Sequence, residues 1–369
     1  MTPSLLCTIA WTRHERVLLW LLLLLTASTA GTSPVGSNHV KPQCHQSEHT
    51  VGQWSRVNAA TAITFECPNG SHAISHDKQD YMFHNGSKHK VFEWSGGCSC
   101  GGNCSANDWE WQPRNCWLPA WNATHFCDLL GDRLVYLAGD STMHQSAVSL
   151  MEMIREGNPA KDCSAQIFYG LSFYLIFQGH ADFKWHNWFM KRRDCGKFVR
   201  QEDCEQWPHG VVPDIAVLTA GAHQADLGDM MSIWQGINED FRTFRENFFW
   251  HNFTFIWKTQ NPGHISCNNF FEPETNDIYP LGPTTEDKYH YYLFKDFDAY
   301  SRNESHKNNI RLMDMAPLYL RPDSHLASAG RPSEKHDCLH YCIPGALNLF
   351  SILFQNMLMN GEIPPKKAF

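Results

Sequence analysis

The chain has 369 residues, of which 43% are hydrophobic and 13% aromatic, and its formal net charge is −8. This hydrophobic content is enough to form a core and excludes a disordered chain. The negative charge argues against a protein that binds nucleic acid through the phosphate backbone, so we expect no nucleic-acid partner.

The first thirty residues have the order of a targeting sequence. Basic residues around position 14 precede an apolar run from Val17 to Leu25, and small residues follow it. The run is shorter than the roughly 20 residues of a membrane span, which favours a cleaved signal peptide over a retained signal anchor. We assign residues 1–30 to this signal and the polar residues 31–43 to a stem. Such an anchor would be the only contact with a membrane.

Two further patterns indicate the secretory pathway. Six Asn-X-Ser/Thr sequons predict a glycoprotein, and 13 of the 14 cysteines lie beyond the signal. In an oxidising lumen these cysteines should mostly form disulfides, with one left free or paired between chains. We expect a protein of the Golgi lumen, which a retained anchor would make a type II membrane protein, or a secreted protein. The sequons are at Asn69, Asn85, Asn103, Asn122, Asn252 and Asn303.

Residues 44–127 differ in composition from the rest of the chain. Seven cysteines alternate with Trp, Gly, Asn and His, and no long periodic segment is present. This pattern predicts a loop-rich N-terminal lobe held by disulfides. The spacing of Cys98, Cys100 and Cys104 resembles that of zinc ligands, but the secretory context favours disulfides. We predict no metal site.

Residues 128–369 read as a domain in which strands alternate with helices. Such alternation predicts a parallel sheet covered on both faces, with ligands at the carboxyl ends of the strands. Ser141, Gly221 and Asn261 lie at such ends. The predicted strands are Leu134–Ala138, Asp214–Gly221, Asn252–Gln260 and Ile310–Met315, and the predicted helices are Thr142–Glu156, Met230–Phe248 and Gly345–Met359.

The stretch from Phe168 to Phe189 is denser in aromatic residues than a single strand requires. Two interpretations stand. The rings form a platform on which sugars stack near the cleft, or they pack in the core or in a hairpin.

A serine nucleophile is the central functional prediction. Ser141 follows a buried strand and begins a helix, so backbone N–H groups at the helix start can stabilise an oxyanion. Asp337 and His340 are three residues apart, and in one helical turn the carboxylate can reach one imidazole nitrogen. The other nitrogen is then available to Ser141, which predicts a Ser-His-Asp triad. Cys338 and Cys342 flank the pair and can hold the turn through disulfides.

These motifs together resemble those of a known family. Gly139-Asp140-Ser141 and Asp337-x-x-His340 resemble the outer blocks of the GDSL/SGNH hydrolases. The tryptophan-rich segment Trp109–Trp121 and the segment Lys258–His264 are similar to the PC-esterase branch, which includes the plant trichome birefringence-like polysaccharide O-acetyltransferases. The resemblance extends over most of the mature chain, from Trp109 to Phe350.

The resemblance implies an SGNH-like, flavodoxin-like parallel sheet with helices on both faces, beside the disulfide-rich lobe. It implies an O-acetyltransferase that moves acetyl to a polysaccharide or glycan hydroxyl through an acetyl-serine at Ser141. A carbohydrate acetylesterase of the same fold and a non-catalytic glycan-binding protein remain alternatives. No bound cofactor is expected, and the acetyl donor, acetyl-CoA or another, is a co-substrate.

The chain departs from the family pattern at two places. His144 stands where an arginine is common, and this removes a fixed charge and a bidentate donor from the substrate site. The segment Thr219–His223 replaces Asn-Thr-Gly-His, so His223 is displaced and its role in the oxyanion or substrate site stays open.

Four further residues have two interpretations each. Asp140 either holds the turn by accepting backbone N–H bonds or takes part in the chemistry. His144 faces either the cleft or solvent, and Gly221 either belongs to the oxyanion hole or ends a strand. His264 is a sugar-contact candidate by resemblance, or it lies in a surface loop.

Overall fold

A computed structural model describes residues 41–57, 81–83, 87–89, 108–171, 213–247, 253–327 except 279, 281, 286 and 288, and 337–365. The predicted signal, most of the stem, the cluster Cys98–Cys104 and residues 172–189 of the aromatic stretch lie outside these ranges. Within these ranges, no helix combines the length and the hydropathy needed to cross a membrane.

Strands and helices alternate along most of the described chain. In chain order they are β1 Gly52–Arg56, β2 Tyr81–Phe83, β3 Ser87–His89, β4 Trp109–Pro113, α1 Ala123–Leu130, β5 Val135–Gly139, α2 Ser141–Glu156, β6 Ile167–Leu171, β7 Ile215–Leu218, α3 Leu227–Asn247, β8 Thr254–Lys258, α4 Phe294–Lys307, β9 Arg311–Met313 and α5 Asn348–Met359. Short 3-10 helices lie at Gln46–Thr50, Ser164–Gln166, Cys267–Asn269, Tyr291–Leu293, Ala316–Leu320 and Pro322–Ser324.

The central sheet has five strands in the order β6-β5-β7-β8-β9, and all neighbouring strands are parallel. Val135 of β5 lies opposite Ile167 of β6 on one side and Ile215 of β7 on the other. Numbered within the sheet, the order is 2-1-3-4-5, the flavodoxin-like arrangement, which binds ligands at the switch point between strands 1 and 3. The predicted α/β class and flavodoxin-like sheet are therefore confirmed.

Two cores cover the two faces of this sheet, because side chains alternate along a strand. Val135 and Leu137 belong to a core shared with α1, α2 and α5. Tyr136 and Ala138 belong to a second core shared with α3 and α4. Each fully buried leucine or valine stabilises the fold by roughly 1.5–3 kcal/mol. The prediction of helices on both faces is thus confirmed.

All of the strands and helices predicted for the catalytic domain are present, and three of the four strands are shorter than the pattern indicated. Apart from the short 3-10 helices, three described elements from residue 123 onward were not predicted: α1, β6 and α4. Helix α4 gives a weak signal because its second half is almost entirely polar, so the apolar stripe built on Phe294 and Phe297 is too short to register as a helical period. Strand β6 overlaps the start of the aromatic stretch, for which the sequence leaves two interpretations open, so no strand was predicted there.

The described part of the N-terminal lobe consists of short elements held by covalent and polar links. Strands β1 and β4 pair antiparallel, and β2 pairs with β3.

Disulfides in the described residues join Cys44 to Cys116, Cys127 to Cys163 and Cys267 to Cys338. The prediction of disulfides is confirmed for these six cysteines. The boundary between the lobe and the catalytic domain stays a prediction.

Candidate active site

The turn between β5 and α2 sets the position of Ser141. Gly139 ends β5 where a Cβ atom would come within 3 Å of both Thr219 and Met143, so only glycine fits between the strand and its neighbours. Asp140 is the N-cap of α2, and its Oδ1 accepts the backbone N–H of Thr142 at 2.8 Å and the Thr142 hydroxyl at 2.6 Å. Through these hydrogen bonds Asp140 caps the helix and stabilises the turn. Ser141 follows as the first residue of the helix.

Ser141, His340 and Asp337 form a continuous hydrogen-bonded series. His340 Nε2 lies 2.8 Å from Ser141 Oγ, although the two residues are 199 positions apart in the chain. His340 Nδ1 lies 2.8 Å from Asp337 Oδ2. Since a carboxylate can only accept, Nδ1 carries the proton and Nε2 accepts from the serine hydroxyl. The predicted triad residues are therefore brought together in the geometry that general-base catalysis needs.

Asp337 is held in its ionised form. Its Oδ1 accepts the backbone N–H groups of Leu339 and His340 at 3.2 and 3.0 Å. Burial favours the neutral carboxyl, but the hydrogen bonds and charge of His340 outweigh burial and bring the pKa of Asp337 below its ordinary value. An ionised Asp337 fixes the tautomer of His340 and stabilises an imidazolium there.

The turn that carries Asp337 and His340 is fastened on both sides. Cys338 forms a disulfide with Cys267, and the carbonyl of Cys338 accepts the backbone N–H of His264 at 3.0 Å. Cys342 is also disulfide-bonded. Both cysteines that flank the pair are thus part of disulfides, and the base sits on a covalently restrained loop.

Gly221 and His223 follow β7, the strand beside β5. Gly221 has a φ of +154°, which L-residues rarely adopt, and a Cβ there would lie 3.1 Å from the Gln260 side chain. His223 is half-buried and meets the Tyr289 ring edge-on at 5.6 Å. Burial lowers the pKa of His223, the charge of Asp140 opposes that shift, and His340 adds to it. His223 is therefore a neutral imidazole near the candidate triad at neutral pH.

The structure corrects the predictions for His144 and His264. His144 is only 6% exposed, so the solvent-facing alternative is wrong. His264 is fully buried, which rules out both a direct sugar contact and a surface loop. Its Nε2 lies 3.0 Å from the carbonyl of Tyr319 and its Nδ1 lies 2.6 Å from His325 Nε2. Burial lowers the pKa of His264 to about 4, against opposing contributions from the Tyr319 carbonyl and nearby carboxylates. His264 is a buried, neutral part of the scaffold.

Sequence reasoning missed the polar residues that connect β8 to the start of α2. Gln260 Nε2 donates to the Thr142 hydroxyl at 2.9 Å, and Asn261 Nδ2 donates to the Thr142 carbonyl at 3.1 Å. The sequence pattern indicates Asn261 only as a strand end. The signal available in the sequence is a run of amide side chains directly after a buried strand, at the edge where ligands bind.

Lys258 is a further residue for which the sequence analysis predicted no individual role. It is fully buried at the end of β8, and its Nζ donates to the Thr259 carbonyl at 3.1 Å. Burial lowers the pKa of Lys258 to about 7, while the charges of Asp140 and Asp298 raise it. Burial in turn raises the pKa of Asp298 to about 7, with Arg302 opposing that shift. This cluster places buried ionisable groups within electrostatic reach of the turn that carries Ser141.

The first comparison with known proteins concerns families. The PC-Esterase family, described as a GDSL/SGNH-like acyl-esterase family found in Pmr5 and Cas1p, matches residues 183–357. This range includes Asp337 and His340, whereas Ser141 precedes it.

The second comparison concerns individual relatives from Oryza sativa subsp. japonica. Probable xylan O-acetyltransferase 11 is 31% identical over 70 residues, which are 19% of this chain and 18% of that protein. Xylan O-acetyltransferase 3 is 22% identical over 325 residues, which cover 70% of this chain and 68% of the relative. Xylan O-acetyltransferase 4 is 22% identical over 325 residues, which cover 70% of this chain and 64% of that protein. The aligned part of this chain thus spans between 18% and 68% of the length of these relatives.

Proposed function

This chain belongs to the PC-esterase family, and from that premise we propose that it is a polysaccharide O-acetyltransferase that works through an acetyl-serine at Ser141. The observation that carries the proposal is the pair of 2.8 Å contacts that link Ser141 to His340 and His340 to Asp337. A serine hydroxyl becomes an effective nucleophile when a base within hydrogen-bond reach takes its proton and a third group orients that base. The similarity to xylan O-acetyltransferases supports an acetylated polysaccharide as product.

The proposed reaction has two halves. His340 Nε2 takes the proton of Ser141, whose oxygen attacks the acetyl carbonyl of the donor. The tetrahedral oxyanion is stabilised by the backbone N–H groups of Ser141 and Gly221, at about 3 kcal/mol for each donor. The intermediate collapses as His340 returns the proton to the leaving group, and acetyl-serine remains. A glycan hydroxyl then gives its proton to His340 and attacks the acetyl-serine carbonyl. The bond between Ser141 Oγ and the acetyl group breaks, His340 returns the proton to Ser141 Oγ, and the acetylated glycan leaves.

The remaining parts of the proposal concern co-substrate and compartment. The enzyme uses no bound cofactor, and the acetyl group arrives on a donor, acetyl-CoA or another activated ester. The protein acts in the secretory pathway, in the Golgi lumen or after secretion. Disulfides between six of the described cysteines support an oxidising compartment, since such bonds are rare where thiols are kept reduced.

A carbohydrate acetylesterase is the second candidate, and the acyl-esterase character of the matched family favours it. The first half of the reaction is the same. In the second half, water replaces the glycan hydroxyl and acetate is released. The two activities therefore differ in water exclusion and in the placement of the acceptor, not in the residues that form the acetyl-serine.

An acetyl balance on the purified full chain tests the proposal. Wild type, Ser141→Ala and the control Ser149→Ala would receive acetylated and bare xylan-type oligosaccharides, with and without an acetyl donor. Ser149 lies on the same helix, is fully buried, and its hydroxyl donates to the side chain of Asn348, so its loss controls for folding.

Each outcome has a definite meaning. Acetyl gained by a bare glycan, and lost only in Ser141→Ala, supports the transferase. Free acetate without acetyl gain, again dependent on Ser141, supports the esterase. No serine-dependent change, with glycan binding retained, rejects both in favour of a non-catalytic glycan-binding protein.

A further inference from the structure

Gln145 connects the helix of the nucleophile to the loop of the base. It lies one helical turn beyond Ser141 in α2 and is fully buried. Its Nε2 donates to the carbonyl of Tyr341 at 2.8 Å, and its Oε1 accepts the backbone N–H of Tyr341 at 2.9 Å. One side-chain amide therefore pairs with both polar groups of a single residue. An uncharged side chain that both donates and accepts is needed for this arrangement, and only Gln or Asn offers an amide.

The residue that Gln145 holds is the immediate neighbour of His340. On the opposite side, the carbonyl of His340 accepts the backbone N–H of Leu326 at 3.0 Å and lies 3.2 Å from His325 Nδ1. The peptide that links His340 to Tyr341 is thus held from two directions. The hydrogen bonds with Gln145 fix the position of this peptide relative to the helix that carries Ser141.

We propose that Gln145 is a positioning residue that sets the distance between His340 and Ser141. This inference rests on the proposed function, since it assigns Gln145 to the assembly of that triad. Without the amide, Tyr341 loses two hydrogen bonds to α2, and His340 can move relative to Ser141. A displacement of about 1 Å at a reacting centre can lower the rate about 100-fold.

Gln355 provides a matched control within the same chain. It is also a buried glutamine on a helix, α5, and is 1% exposed. Its Nε2 donates to the carbonyl of Ala120 at 2.8 Å, and its Oε1 accepts the backbone N–H of Asn122 at 2.9 Å. Its loss removes the same two hydrogen bonds from the fold, but in a place where they hold no part of the triad.

The experiment measures how fast a fluorophosphonate probe labels Ser141 in the full chain. The probe reports activation of the serine by His340 and needs no knowledge of the natural glycan. Gln145→Met should lower the labelling rate constant about 100-fold, whereas Gln355→Met should leave it at the wild-type level. Urea unfolding of both variants shows whether they lose comparable stability.

A pH profile adds a readout that a merely structural role would not change. In Gln145→Glu the introduced carboxylate can accept the N–H of Tyr341 but cannot donate to its carbonyl until it is protonated. The ratio of the Gln145→Glu rate to the wild-type rate should therefore rise as the pH falls. For Gln145→Met the ratio should stay constant with pH.

The outcomes separate this inference from the proposed function. Wild type labelled at Ser141, with Gln145→Met labelled equally fast, overturns the positioning role and leaves the triad intact. Equal losses in Gln145→Met and Gln355→Met also overturn it, because the effect is then one of stability. Wild type that is not labelled at Ser141 overturns the proposed function, and the positioning role is rejected with it.

Discussion

Replacing His264 by glutamine should make the fold less sensitive to acid. The pKa of this buried imidazole falls from its ordinary 6.5 to about 4. Between these pH values the unfolded chain binds a proton that the folded chain does not, so the stability present above pH 6.5 is lost as the pH falls towards 4. At about 1.36 kcal/mol per pH unit, the loss is about 3 kcal/mol. The introduced glutamine keeps a donor for the Tyr319 carbonyl and does not titrate.

The measurement is the free energy of unfolding in urea, with the disulfides kept oxidised, at the two ends of this pH range. Between pH 6.5 and pH 4, the free energy of unfolding of the wild type should fall by about 3 kcal/mol more than that of His264→Gln, because all other titrating groups are shared. The surface variant His125→Gln serves as the control and should keep the wild-type difference. Equal losses in wild type and His264→Gln would refute the reasoning, since the buried ring would then not be what resists protonation.

Two further substitutions test the site. Asp337→Asn should lower kcat about 10⁴-fold, because His340 then loses the partner that fixes its tautomer. A fully active variant would show that Asp337 is not part of the triad. Gly221→Ala should cost about 1–3 kcal/mol of stability, because φ at this position suits only glycine and the new Cβ meets Gln260. Gly282→Ala is the control, because its Cβ would meet nothing within 4 Å. Equal stability of the two variants would contradict the backbone strain expected at residue 221.

Much of the fold could be predicted because its signals are local. The segments Val135–Gly139, Ile215–Leu218 and Thr254–Lys258 are buried along their whole length, as strands between two layers of helices must be. Helix α4 could not be predicted, because its place in the fold depends on a few buried aromatic residues in an otherwise polar segment. Tertiary packing stabilises such a helix more than its own pattern does.

The candidate site likewise has features that local sequence predicts and features that depend on distant contacts. The proximity of Asp337 to His340 follows from a spacing of three residues, and the turn before Ser141 follows from a glycine and a capping carboxylate. The burial of His264 depends on contacts with His325 and Tyr319, which are 61 and 55 positions away. A sequence pattern gives the residue type at such a position, but it does not show what packs against the side chain.

The most direct test of the central claim is to look for the acetyl group on Ser141 itself. The full chain would be incubated with a soluble acetyl ester in the absence of glycan, quenched in acid and digested for peptide mass spectrometry. The proposed mechanism predicts one added acetyl on the peptide that contains Ser141, and its disappearance when an acceptor glycan is supplied before the quench. Acetyl turnover with that peptide unmodified, and at the same rate in Ser141→Ala, would contradict the mechanism.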